Sequence, residues 1–359
     1  MLNVLKIKFI ILFFSYLQRH KSSRCCDWSV SEAMLLNLTS SNFTHSKIVN
    51  NATSAPSTNP IVLVVFFLVT CVSIGGNSLV LYSWYTKRIP RRETFFFVSN
   101  LAKSDLLLTS ASLMFLMEGR APSSVGNFLC KAGQFLGEVS SFTSILTLVA
   151  IGRRRYSKIA SISFGHQFTA DLQSTARRQC WVIWLTAAFI SAPVLSTFKM
   201  VNSETSGTHC VDAQNWPAVY RRVYYVFRFV FFFCLPLVFL VFSYCYMYVA
   251  LRKHVVQDAF SKPAQTKLLV AIVTTFVICV GPKIVFRTVE QFEVWTKNSA
   301  ATILYVAGIL LVTQPALNPI IYSVSSPELR KAFKALLRCR KIGIAEDANN
   351  PNGKNNMNS

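Results

Sequence analysis

The sequence predicts an all-α membrane protein, a seven-transmembrane helix bundle followed by a short amphipathic helix on the cytoplasmic side. Three observations predict it. Of the 359 residues, 52% are apolar and only 14% charged, whereas a soluble domain carries about a quarter charged residues. Seven mostly apolar stretches, roughly 60–86, 94–118, 127–158, 179–199, 222–251, 266–291 and 300–323, are each about long enough to cross a ~30 Å hydrocarbon layer. Lys and Arg collect in alternate connections: Lys87, Arg88, Arg91 and Arg92 after the first span, and Arg153, Arg154 and Arg155 at the end of the third. Arg177 and Arg178 precede the fourth, Arg252, Lys253, Lys262 and Lys267 lie between the fifth and sixth, and a cluster follows the seventh. Seven crossings put all of these on one side, and the positive-inside bias makes that side the cytoplasm. The same bias accounts for a formal net charge of +22 without nucleic acid.

Three regions follow: a tail outside the cell at 1–58, the bundle with its juxtamembrane helix at 59–340, and a disordered cytoplasmic tail at 341–359, rich in Asn with a Pro and a Gly. In the first, Lys6 and Lys8 precede an apolar run from Phe9 to Leu17 that is too short to span. The run has the character of a signal-peptide core, yet Gln18-Arg19-His20-Lys21 stands where a small-x-small cleavage site belongs. Cleaved and retained forms both stand. Three Asn-x-Ser/Thr sequons, at Asn37, Asn42 and Asn51, predict a glycosylated tail. They put the N-terminus outside, independently of the Lys and Arg pattern.

The stretch from Phe128 to Ala160 organises the rest. On one helix, Cys130 and Arg155 stand roughly 37 Å apart, enough for a tilted span with both ends in polar surroundings. Ser140, Ser141, Thr143, Ser144 and Thr147 in its middle suit a helix packed among other helices. Glu138 is a carboxylate at membrane depth, by default a functional lead. Cys130 falls at the outer mouth of this helix, and Cys210 in the outer loop between the fourth and fifth spans. Both face the oxidising side, which predicts a disulfide over the bundle. The ten cysteines lack the paired spacing of a zinc site, and most sit in apolar runs as packing residues.

After the seventh span, Ser326 can cap a helix, Pro327 suits its first position and Glu328 favours its positive end. Leu329, Phe333, Leu336 and Leu337 share one face, with Arg330, Lys331, Lys334 and Arg338 beside it. That pattern predicts a helix on the anionic inner leaflet. Cys339 at its end reads as a palmitoylation site or as an unmodified thiol.

Seven helices alone fit a transporter, a channel or a receptor; polar residues and prolines at particular depths decide. Gly76-Asn77 lies in the first span, Asn100-Leu101-Ala102-Lys103-Ser104-Asp105 in the second, and Cys130 and Arg155-Tyr156 bound the third. Trp184 and Pro193 mark the fourth, Pro236 and Tyr244 the fifth, Phe276 and Cys279-Val280-Gly281-Pro282 the sixth, and Asn318-Pro319-Ile320-Ile321-Tyr322 the seventh. With these in order, one set per span, the chain resembles the rhodopsin-like (class A) G-protein-coupled receptors over about residues 59–340. The resemblance implies a plasma-membrane receptor that catalyses no covalent chemistry and passes ligand binding to a heterotrimeric G protein. It also implies that Asp105, Ser144 and Asn318 hold a sodium ion as an allosteric modulator. A protonated Asp105 bonded to Asn77 and Asn318 is the alternative. By the same resemblance Pro236, Ile145 and Phe276 form the packing cluster that relays binding, while Arg155, Tyr156, Tyr244 and Tyr322 regroup when the G protein docks. Pro236, Pro282 and Pro319 each remove a backbone hydrogen bond where a helix can bend.

Two departures stand out. Where the family places Asp or Glu before the arginine matched by Arg155, this chain has Arg154. A second arginine repels the first, so the expectation is a weak resting lock and raised basal signalling, or else lost coupling. Val280 stands where the family commonly has a switching Trp.

Glu138, Arg228 and Lys283 lie about two turns from the outer ends of their spans, with Arg287 a turn beyond Lys283 on the same face. One acid against three bases predicts a pocket for a ligand with acidic groups, a peptide carboxylate or a small organic anion. The bland reading is a Glu138–Arg228 pair that shapes the bundle, with Lys283 snorkelling outward. Gly137 replaces the Asp of amine receptors and Val312 the lysine of retinal-binding relatives, so neither ligand is expected. The long tail and the loop from Lys199 to Trp216 favour a peptide. A non-signalling scavenger or partner subunit and a transporter are the rival readings, although the halves show no internal repeat.

Overall fold

The computed structural model describes residues 60–90, 92–118, 121–163, 172–203, 207–212, 215–252, 263–292 and 297–338. Asn37, Asn42, Asn51, Lys262, Cys339 and the 341–359 tail lie outside the described residues. Among the described residues seven long helices run in order: α1 (Pro60–Tyr85), α2 (Glu93–Glu118), α3 (Ser123–Ser163), α4 (Leu172–Ser191), α5 (218–252), α6 (Pro263–Glu290) and α7 (Lys297–Ser325). The short α8 (Pro327–Leu337) follows. α5 consists of Ala218–Phe229, a π-helical turn at Val230–Cys234 and Leu235–Arg252. All but α2 contain a segment long and apolar enough to cross a membrane; α2 has the length but carries Glu93, Lys103, Asp105 and Glu118. The chain is a seven-helix membrane bundle.

Burial divides as lipid immersion requires. Phe189 (79% exposed), Val324 (71%) and Leu185 (67%) point away from the bundle, an apolar exterior that water would penalise and lipid accepts. Phe97, Phe142, Phe276, Ile145, Leu148, Leu240 and Tyr322 are almost wholly enclosed. Side-chain hydrogen bonds then fix which helix faces which. Trp184 of α4 donates Nε1–H to Asn100 Oδ1 of α2 at 3.0 Å. Asn100 in turn donates Nδ2–H to Thr147 Oγ1 of α3 at 2.9 Å.

The fourth span runs to Thr197, close to the predicted end at 199, but not as one helix. α4 stops at Ser191, two residues before Pro193, which has no N–H to continue the ladder. After a single helical turn at Val194–Thr197, the loop becomes a hairpin. Strand β1 (Phe198–Ser203) pairs antiparallel with β2 (Gly207–Asp212), Met200 opposite Cys210. Cys210 is bonded to Cys130 of α3 across 80 residues of sequence, with Cα atoms 5.6 Å apart. The disulfide holds the hairpin over one end of the bundle. At the other end Ser326 caps α8 by accepting from the Leu329 amide at 3.4 Å. Leu329 and Phe333 of α8 pack into the bundle core, so α8 closes that end as well as presenting its basic flank.

Among the glycines of the described residues the closest approach is at Gly76 of α1, where an added Cβ would stand 2.6 Å from Pro319 Cβ of α7. Backbone lies behind both atoms, so neither yields cheaply. Gly76→Ala is expected to destabilise the fold by about 1–3 kcal/mol, read as a lower melting temperature of the detergent-solubilised protein.

Candidate functional site

A cavity of about 370 Å³, measured to its open mouth, lies beneath the hairpin between α3, α5 and α6. Glu138, Arg228, Lys283 and Arg287 all line it, with Phe142, Tyr225 and Val280. The first segment of α5 puts a polar face inward: Arg221, Tyr225 and Arg228, at successive turns, are its buried residues. The π turn just after Arg228 inserts an extra residue into the helical period, which lets the apolar face of Leu235–Arg252 continue on a different angle.

The four charges have different partners. Arg228 donates Nη2–H to Glu138 Oε2 and forms an ion pair with it. Its guanidinium also lies 5.0 Å from the Phe142 ring centroid, 5.1 Å from Tyr224 and 5.3 Å from Tyr225, an aromatic enclosure that favours a cation. Arg287 pairs with Glu290 at 3.2 Å and sits 5.3 Å over Phe198 of β1. Lys283 stays half-buried on the cavity wall, its Nζ 5.8 Å from the Phe115 ring centroid, and forms no ion pair among the described residues. It does not snorkel outward. The excess of two positive charges falls to one, because Glu290 pairs with Arg287; of the four, Lys283 alone forms no ion pair among the described residues.

Below the cavity, Asp105 of α2 is fully buried. Asn318 of α7 donates Nδ2–H to its Oδ2 at 2.8 Å, and Gln314 donates Nε2–H to Oδ1 at 3.4 Å. Ser144 of α3 meets Ser104, the residue before Asp105, with the two hydroxyls 3.0 Å apart. Asn77 does not reach Asp105 as the alternative reading expected. It donates to the carbonyls of Ser73 and Pro315, each at 2.9 Å. Pro319 is the reason: it has no N–H to offer the carbonyl of Pro315, four residues earlier, and Asn77 fills the gap.

Towards the α8 end, Arg155 of α3 is buried at 7% exposure, and Tyr322 of α7 is wholly enclosed. Tyr156 turns outward from Arg155 and packs against Tyr246 of α5, ring centroids 4.8 Å apart. Ile145, Phe276, Phe233 and Leu240 share one core cluster across α3, α5 and α6. Pro236 is buried, and Pro282 and Pro319 are within α6 and α7. Arg154 points elsewhere, to a 3.3 Å ion pair with Glu93 of α2.

Comparison with known proteins agrees with this arrangement. The family model for 7 transmembrane receptors (rhodopsin family) matches residues 76–322. The chain belongs to that family. Among its relatives is galanin receptor type 1 of Rattus norvegicus, 28% identical over 296 residues that cover 79% of this chain and 83% of the relative. A QRFP-like peptide receptor of Branchiostoma floridae is 24% identical, covering 83% of each chain. Somatostatin receptor type 4 of Rattus norvegicus is 26% identical, covering 77% of this chain and 72% of the relative.

In this receptor the sequence located the cavity's charges but not all of their partners. Glu290 was legible as the residue three after Arg287. Gln314, one turn before Asn318, carried a weaker signal, a polar side chain at the depth of Asp105. Phe198 and Phe115 carried none, since their place beside Arg287 and Lys283 depends on the hairpin and on helix rotation. Removing one member of the Glu138–Arg228 pair strands the other in an apolar wall. Arg228→Leu is expected to cost about 3–5 kcal/mol, with Glu138→Gln added to it recovering much of the loss. Thermal unfolding of both variants in detergent checks this.

Proposed function

We propose that this receptor sits in the plasma membrane with its N-terminus outside, binds a peptide carrying an acidic group, and transmits binding to a heterotrimeric G protein. Lys283 carries the ligand reading, because it lines the cavity half-buried without a carboxylate of its own. A ligand carboxylate supplies the missing partner, with Arg287 beside it and the Glu138–Arg228 pair as the opposite wall. The peptide class is supported by relatives named for galanin, a QRFP-like peptide and somatostatin.

Transmission runs down the bundle. Pro236, Ile145 and Phe276 form the packing cluster beneath the cavity, and Pro282 and Pro319 supply the bends. Arg155 with Tyr156, Tyr244 and Tyr322 forms the coupling end. Asp105, Ser144 and Asn318 offer a carboxylate, a hydroxyl and an amide oxygen, a hard donor set suited to sodium. Asn318 Oδ1 is buried without a hydrogen-bond partner, and it fits the proposed ion. A bound cation would neutralise the Asp105 carboxylate and hold α2, α3 and α7 together.

Reversing Lys283 to Glu is expected to abolish G-protein dissociation driven by an acidic peptide agonist that activates wild type. An unchanged response removes Lys283 from the site. With Arg154 where the family has an acid, basal activity is expected to be raised; Arg154→Asp supplies that acid but also removes the ion pair with Glu93, so its activity is expected to differ from wild type in a ligand-free assay at matched surface expression. Equal activity of the two counts against it. A receptor-fold scavenger that no longer couples is the second reading, favoured by Arg154 and Val280; silence of every variant with every ligand would establish it.

A further inference from the structure

Two adjacent arginines at the end of a buried helix need a counter-charge, and α3 itself offers none near Arg154. The structure finds it on another helix. Arg154 Nη1 lies 3.3 Å from Glu93 Oε1, in the first turn of α2. Its Nε and Nη2 both donate to Gln179 Oε1 of α4 at 3.3 Å. The pair is well shielded, with side-chain exposures of 9% for Arg154 and 18% for Glu93, so solvent screens it less than an ordinary surface pair. One guanidinium thereby joins three helices.

We infer that Glu93, with Gln179, is a positioning residue for G-protein coupling. The Glu93–Arg154–Gln179 clamp fixes the end of α3 against α2 and α4 and so sets how often Arg155 leaves its resting place. This rests on the proposed coupling role of Arg155. Residues 154 and 155 lie about 100° apart round the helix, so a clamp on one determines the direction in which the other projects. It also holds the Arg154 charge away from Arg155 despite their adjacency in sequence. The clamp restrains α3 from a side about 100° away from Arg155.

Removing the Glu93 charge leaves Arg154 half-buried beside a second arginine, and movement of the α3 end relieves both. Ligand-free G-protein dissociation, normalised to surface expression, is therefore expected to rise about two- to fivefold in Glu93→Gln. Glu93→Lys should rise further, and Glu93→Asp should stay close to wild type. Gln179→Leu, which keeps the ion pair, should give a smaller rise and remains informative if the charge variants do not reach the surface. Wild-type basal activity in both Glu93→Gln and Gln179→Leu, or a fall in either, overturns the inference. Distances between spectroscopic labels at the α8-side ends of α3 and α6 in the purified receptor provide a readout without a G protein. A shift of that distribution in Glu93→Gln with no signalling from any variant upholds the clamp and rejects the coupling reading. An unshifted distribution rejects the clamp.

Discussion

A hydrocarbon surround donates and accepts no hydrogen bonds, so every polar group inside this bundle has to be answered by the protein. Many of these groups are answered helix against helix. Pro319 strips the Pro315 carbonyl of its donor, and Asn77 of α1 supplies one from a neighbouring helix. Asn100 receives from Trp184 and gives to Thr147, so a single amide orients α2, α3 and α4. Asp105 is held by two amides of α7. These bonds sit in the middle of the bundle, where apolar packing alone would leave the rotation of each helix loosely determined. The cavity and the coupling end take their geometry from them.

Charge follows the same logic at higher stakes. Arg228 has Glu138 and three aromatic rings, Arg287 has Glu290, and Arg154 has Glu93. Each basic side chain answered from within becomes part of the scaffold, a role distinct from that of a free recognition element. Lys283 differs because no described carboxylate forms an ion pair with it, the observation on which the proposed acidic ligand rests.

Bending is built into the same helices. Pro282 and Pro319 interrupt the ladders of α6 and α7, and the π turn at Val230–Cys234 loosens α5 just before Pro236. Phe233 of that turn packs against Gly281, beside Pro282; a Cβ there would stand 3.1 Å from its ring. The weakened segments of α5 and α6 therefore touch. Val280, one residue before Gly281, is wholly buried, so the floor of the cavity is an aliphatic contact where the family commonly has an indole. In the proposed transmission, these packing contacts stand in for a large ring that swings.

The sequence by itself determined the number of spans, their polar landmarks, the two cysteines that join and the charges that reach one cavity. Hydropathy, helical period and turn chemistry are local properties, and lipid immersion leaves few ways to satisfy them. Tertiary structure decided the partners. Nothing near Arg154 in sequence points to Glu93, 61 positions earlier and on α2, and nothing near Asn77 points to the carbonyl of Pro315. Where α4 ends and a hairpin begins was also settled in three dimensions, by Pro193 together with a disulfide to α3. Which side chain answers which depends on helix rotation and rotamer, and those are fixed only when all seven helices pack.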